Sequence, residues 1–301
     1  MRHGRYPFVI SFLIAPIALY AVFVLAPIVQ AFFVAMTDWN GLSPNYNFVG
    51  LDNFSKILSD DKFLDAVLHH VVLLVALPII TIAIALFFAF LLNTGGGTRG
   101  GTPVGVWGSK FYRVIFFLPQ VLAVVIVGVV FGRVFAPDDS GILNGMLGWV
   151  GVNPIGFMAD FGLMSILATM IWQAVGFYVV LFSAGMASIP GEVYEAAILD
   201  GANRFAMFFR ITVPMVWDTI QVAWVYLGIL AFDAFALVMV MSIEEGGPDG
   251  ATAVLPVLIY KQGIRESEYG YASALGVALF FLTITFAALS LRTSRRDTIE
   301  L

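Results

Sequence analysis

The sequence predicts an all-α integral membrane protein, a bundle of six transmembrane helices, on three observations. Of its 301 residues 60% are hydrophobic and only 12% charged, where a soluble domain carries roughly 25% charge. The apolar residues gather into six stretches, each longer than the ~18 residues that mark a membrane-spanning helix. No soluble chemistry competes with that reading. Cysteine is absent and histidine is limited to His3, His69 and His70, so thiolate metal sites, thiol nucleophiles and disulfides are excluded. Neither HExxH nor GxSxG occurs, which removes the metalloprotease and serine hydrolase readings.

The stretches run from about 7 to 36, 67 to 92, 111 to 136, 161 to 188, 214 to 243 and 271 to 291. At ~1.5 Å per residue each crosses the ~30 Å hydrocarbon layer. The first follows a short basic tail, but it is far longer than the apolar core of a signal peptide, roughly 7 to 15 residues, and is expected to stay as a helix. Pro16, Pro27, Pro78 and Pro119 predict kinks inside spans. Residues 1–301 are read as a single transmembrane domain, because the longest connection, 37 to 66, is too short for a separate one.

An even number of spans puts both termini on one side, and lysine and arginine decide which. The tails and the loops after spans 2 and 4 hold Arg2, Arg5, Arg99, Lys110, Arg113, Arg204, Arg210, Arg292, Arg295 and Arg296, against Lys56, Lys62, Arg133, Lys261 and Arg265 on the other side. Both termini are therefore expected in the cytoplasm. The glycine-rich run Gly95 to Gly101 invites a phosphate-loop reading, but it lacks the GK[ST] ending. It reads as a flexible cytoplasmic loop. No cofactor and no nucleic-acid partner are expected.

The loop from 189 to 213 carries the sharpest signal. Pro190 suits a first helical turn, Glu192 and Glu195 suit the positive end of a short helix, and Gly201 suits its stop. Val193, Ala196, Ala197 and Asp200 share one face at helical spacing, shallow because of the two alanines. Such a face predicts a docking partner.

These residues resemble a family. Glu195-Ala196-Ala197, three residues, Gly201, nine residues, Ile211, one residue, Val213 and Pro214 is similar to the EAA loop of ABC importer permeases, EAA-x3-G-x9-I-x-L-P, departing only at Val213. Phe48 to Phe54, Gly141 to Asn144, Gly246-Gly247-Pro248 with Thr252, and Tyr269 to Ala274 resemble the first-permease subunits of carbohydrate importers, such as those for maltose and glycerol-3-phosphate. Met241 to Glu245 departs from the family, where a threonine and a shorter approach are usual.

The resemblance implies a type I ABC importer permease-like fold in the bacterial or archaeal cytoplasmic membrane. It implies a second permease subunit, two cytoplasmic ATPase subunits that bind the ATP, and an extracytoplasmic binding protein that delivers a carbohydrate. Within that scheme Glu195, Ala196, Ala197, Asp200, Gly201 and Pro214 couple the chain to the ATPase through a cytoplasmic coupling helix. Its glycine-rich inner loop and tryptophan-bearing outer loop are similar to those of importers for chitin-derived or plant oligosaccharides.

Polar residues at mid-membrane depth nominate a solute path. In span 4 Thr169, Gly176 and Ser183 repeat at seven residues with Trp172 and Gln173 alongside, and in span 5 Thr219, Tyr226 and Asp233 repeat likewise. Trp172, Gln173, Tyr226 and Asp233 are the candidates for sugar contact. Helix packing is the competing account of the hydroxyl and glycine positions, and His69 and His70 read as packed or interfacial. An ion-coupled secondary transporter or channel is the alternative function, with Asp233 as its deepest carboxylate; a six-span membrane enzyme lacks a nucleophile and base.

Overall fold

In the computed structural model, which describes residues 5–96, 98–99 and 102–294, the chain is helical almost throughout. Arg2, His3, Arg295 and Arg296, on which part of the charge asymmetry rests, lie outside the described residues, as do Gly97, Gly100 and Gly101. Packing divides the chain into two compact units, one reaching Leu64 and resuming over Leu255–Leu282, the other spanning Asp65–Val254 and resuming at Thr283.

The first span is α1 (Arg5–Tyr20), a π turn (Ala21–Leu25) and α2 (Ala26–Val34). The π turn falls directly before Pro27, where the missing N–H removes one rung of the ladder and Ala26 bonds five residues back to Ala21. Helix α3 (Asp52–Leu58) follows the outer loop, where the Asn53 amide donates to the carbonyls of Ala35 and Thr37 at 2.9 and 2.8 Å. Lys56 pairs with Glu268 at 2.7 Å and lies over the Tyr271 ring. The VGLDNF and YGYASA segments thus meet in one cluster.

Helix α4 (Asp61–Thr94) begins about six residues before the predicted span. Pro16 and Pro78 lie inside α1 and α4, which continue through them. Where the sequence predicts a flexible loop, β1 (Thr98–Arg99) pairs antiparallel with β2 (Thr102–Pro103) as a short hairpin. Gly96 N–H donates to the Val104 carbonyl at 2.9 Å, and a Cβ at Gly96 would strike the Gly105 carbonyl. Gly95 and Gly96 thus serve close backbone approach.

The predicted third span is not one rod. Helices α5 (Ser109–Val121) and α6 (Val124–Val134) meet at 97° across Leu122 and Ala123, both in extended geometry. Two short helices, α7 (Ile142–Gly148) and α8 (Phe157–Asp160), form the next loop. Asn144, fully buried, closes that loop by bonding the Ala136 and Ile155 carbonyls and the Ile155 N–H.

Helix α9 (Gly162–Ala187) matches the predicted fourth span and is the most buried of the candidate spans. Its small residues are packing positions. A Cβ at Gly176 would collide with the Phe116 carbonyl of α5, and Thr169 and Ser183 are fully buried. Small residues that let backbones touch are the usual adhesive between membrane helices.

Beyond it lie α10 (Gly191–Leu199), α11 (Arg204–Met207), a π turn (Phe208–Thr212) and α12 (Val213–Met215). The predicted fifth span is likewise interrupted. Helix α13 (Trp217–Phe232) ends at Asp233, and α14 (Phe235–Met241) continues after Ala234. The departure at Met241–Glu245 is a tight turn with Glu244 and Glu245 in the left-handed region, at φ 56° and 55°. Helix α15 (Leu255–Tyr260), a π turn (Lys261–Arg265) and α16 (Tyr269–Ser294), the sixth span, complete the chain. Among the described residues four helices are long and apolar enough to cross a membrane unbroken, and two bent pairs bring the number to six.

Candidate functional site

Two regions of the second unit collect the nominated residues. The first is the hairpin around α10. Pro190 stands just outside the helix rather than in its first turn, as the residue before Gly191. At the other end Gly201 has φ 78°; its N–H donates to Ile198 at 3.0 Å, and the Ala202 N–H donates to Ala197 at 2.9 Å. These two bonds close a Schellman cap, which needs a left-handed residue and so a glycine. Nothing lies within 4 Å of where a Cβ would point, so the demand on Gly201 is conformational only.

The face predicted for docking is corrected in one position. Ala197 is buried together with Tyr194, and α10 packs beside β2. Ala196, Leu199 and Asp200 are exposed, with Leu199 at 87%, and Glu195 is half-buried. Ala197 therefore seats the helix on its own subunit. Tyr194 does so more firmly: its hydroxyl lies 3.0 Å from Thr212 Oγ1, which donates in turn to the Met207 carbonyl at 3.1 Å. Burial pushes the Tyr194 phenol above its ordinary pKa, although the Thr212 bond opposes this. Asn203 caps α11 by accepting from the Ala206 N–H at 2.8 Å. Tyr194 and Thr212 were missed from sequence, where a tyrosine inside a short helix carries no signal of its bonding.

The second region is a cavity of about 350 Å³ at the two helix breaks. Gln120, Gln173 and Asp233 supply its polar groups, and Met170, Leu230 and Leu237 part of its apolar wall. The volume lies within the ~300 to 1,000 Å³ of small-ligand pockets. Gln173 Nε2 donates to the Leu122 carbonyl at 3.2 Å, which binds α9 to the broken α5–α6 pair. Irregular backbone at membrane depth is tolerated where it lines a cavity, since lipid offers it no hydrogen bonds.

The structure brings Gln173 and Asp233 together around this space and leaves Trp172 and Tyr226 out of its lining. Trp172 packs on Phe131, with ring centroids 4.9 Å apart, and Tyr226 is exposed on α13. Tyr226 lies on the exposed side of α13 and Asp233 at its end, so the seven-residue stripe does not run along this cavity. Gln120 was missed; an amide beside Pro119 within an apolar run is the signal that marks it. His69 and His70 are packing residues: His69 Nδ1 lies 2.7 Å from the Ala253 carbonyl, and His70 stacks near Phe232. Among the described residues no cluster of three or more histidine or acidic side chains could hold a metal.

No family model matches the chain. Over 301 residues it is 41% identical to the diacetylchitobiose uptake system permease protein NgcF of Streptomyces coelicolor, covering 98% of this chain and 84% of that protein. It is 29% identical to the multiple sugar-binding transport system permease protein MsmF of Streptococcus mutans, covering 95% and 94%. Its fold matches a chain of a bacterial ABC transporter that imports the acidic polysaccharide alginate, with TM-score 0.81, 22% identity and coverage of 98% and 97%. A bacterial alginate ABC transporter in complex with an alginate pentasaccharide-bound periplasmic protein gives TM-score 0.82 at 21% identity, covering 98% and 96%. The EAA spacing, the six-span helical fold and this full-length likeness converge: the chain belongs to the permease subunits of sugar-importing ABC transporters.

Proposed function

We propose that this subunit carries a chitin-derived oligosaccharide, of the N-acetylated disaccharide class, inward across the cytoplasmic membrane by ATP-driven alternating access. The observation that carries the solute class is the full-length 41% identity to a diacetylchitobiose permease. The cavity fits that cargo in kind. Amides of Gln120 and Gln173 can donate to and accept from sugar hydroxyls and acetamido groups, the Asp233 carboxylate can accept from two hydroxyls, and Met170, Leu230 and Leu237 can take the C–H faces. The site is expected to hold the sugar weakly, because tight binding there would slow release; selectivity then rests with the extracytoplasmic binding protein.

In this reading the chain pairs with a second permease, and two ATPase subunits dock from the cytoplasm on the coupling helices of the pair, α10 being this chain's. Glu195 meets a basic residue of the ATPase, Ala196 permits close approach, Asp200 and Gly201 end the helix, and Pro214 sits in α12 on the way to α13. Closure of the ATPase dimer moves α10, and the Tyr194–Thr212 bond passes the motion to the foot of the fifth span. Both termini and the 189–213 loop lie in the cytoplasm. Family membership sets aside the ion-coupled alternative for Asp233.

Uptake of radiolabelled diacetylchitobiose by cells lacking and then regaining this gene tests the proposal. Uptake lost and restored with the gene, and competed by unlabelled diacetylchitobiose but not by maltose, is the expected result. Undiminished uptake in the deletion strain, with loss of another sugar, overturns the solute class.

A further inference from the structure

The segment Arg204–Met215 lies at 72° to Trp217–Phe232. A helix nearly perpendicular to the span it feeds runs along the plane of the bilayer. Its inward face is seated: Met207 and Thr212 are buried, and the Phe208 ring lies 5.0 Å from Phe90. Its outward face is apolar and basic. Phe205 and Phe209 stack at 4.5 Å, with Phe205 72% exposed, and Met215 is exposed beyond them. Arg204 and Arg210 are exposed, neither forms an ion pair among the described residues, and no acid occurs from Asn203 to Val216. The neighbouring loop repeats the chemistry, with Trp107 95% exposed and Lys110 and Tyr112 exposed close to the hairpin that packs beside α10.

We propose that Arg204–Met215 is an in-plane anchor for anionic lipid on the coupling-helix side of the membrane. Phe205, Phe209 and Met215 enter the boundary between headgroups and acyl chains, and Arg204 and Arg210 bind lipid phosphates above them. Aromatic rings and arginine stems suit that boundary, each having an apolar body and a polar or charged end. The anchor adjoins α10 through the Tyr194–Thr212 bond, so headgroup charge bears on the position of the coupling helix. This rests only on α13 spanning the membrane and stands whatever the solute.

The native chain has no cysteine, so single probes report cleanly. The permease pair, its second subunit made cysteine-free and this chain carrying Phe209→Cys, or Phe205→Cys as a second site, is labelled with a fluorophore in nanodiscs of phosphatidylcholine with or without phosphatidylglycerol. Leu199→Cys, at the exposed end of α10, is the aqueous control. Positions 205 and 209 are expected to be quenched by a shallow lipid-borne quencher and protected from iodide, and position 199 the reverse. Arg204→Gln combined with Arg210→Gln should lower the preference for phosphatidylglycerol by up to roughly 30-fold, the loss expected if each arginine contributes about 1 kcal/mol. Iodide quenching at 205 and 209 equal to that at 199 overturns the anchor. Shielding that develops only when ATPase subunits are added also overturns it and assigns the face to the ATPase.

Discussion

The hairpin around α10 and the cavity at the helix breaks are both places where a helix stops, and they stop for different reasons. Around α10 the stops are local: Pro190 before the helix, Gly201 at φ 78° after it, and Asn203 capping the next turn. At the α5–α6 break beside the cavity the stop has a tertiary partner. Leu122 and Ala123 are ordinary apolar residues, and their extended geometry is held by Gln173 reaching from α9 to the Leu122 carbonyl. A local stop survives changes in its neighbours, whereas a tertiary stop depends on a helix about fifty residues away in sequence.

That contrast can be broken most severely at Gly176. Gly176→Leu drives a side chain into the Phe116 carbonyl of α5, and overpacking against backbone should cost about 3 kcal/mol. Heating the detergent-solubilised variant and measuring the fraction that stays monodisperse should show a lower midpoint. A smaller loss, at most about 1.5 kcal/mol, is expected for Gln173→Leu, which removes the donor to the exposed Leu122 carbonyl. The same thermal assay checks it, and uptake should fall as the break closes or shifts.

Gly201→Val sharpens the other side. A β-branched residue in the left-handed region costs roughly 1 to 2 kcal/mol, and the loss should uncouple transport with a thermal shift smaller than that of Gly176→Leu. The mildest change is Tyr194→Phe. It removes one buried hydroxyl bond while Thr212 keeps its bond to Met207, so about 1 kcal/mol is expected, with a lower ratio of transport to ATP hydrolysis. Orientation is tested separately: Ser188→Cys should resist an impermeant thiol reagent in intact cells and react in inverted vesicles.

The sequence carried the spans because apolar composition over ~20 residues is a bulk property, and it carried the α10 hairpin because Pro190, Gly201 and the EAA spacing are local. It did not reveal the breaks. Pro119 announced a disturbance, but the turn falls at Leu122–Ala123, where only packing against α9 decides it. The same limit explains the path residues. Gln173 and Asp233 fell on one cavity, while Trp172 turns to Phe131 and Tyr226 to the exposed side of α13, directions that tertiary packing sets and linear spacing does not carry. Ala197 turned inward because Tyr194, one turn back, has a partner in Thr212 that linear spacing cannot supply.

The central claim is that the two regions divide the work, α10 receiving the ATPase and the cavity passing the sugar. The most direct test reconstitutes the complete transporter with Glu195→Lys or Asp233→Ala and measures, for each, ATPase capture and sugar uptake at matched membrane levels. The account predicts that Glu195→Lys loses both capture and uptake, whereas Asp233→Ala keeps capture and loses uptake. Wild-type uptake in both variants, or loss of capture in Asp233→Ala, would contradict it.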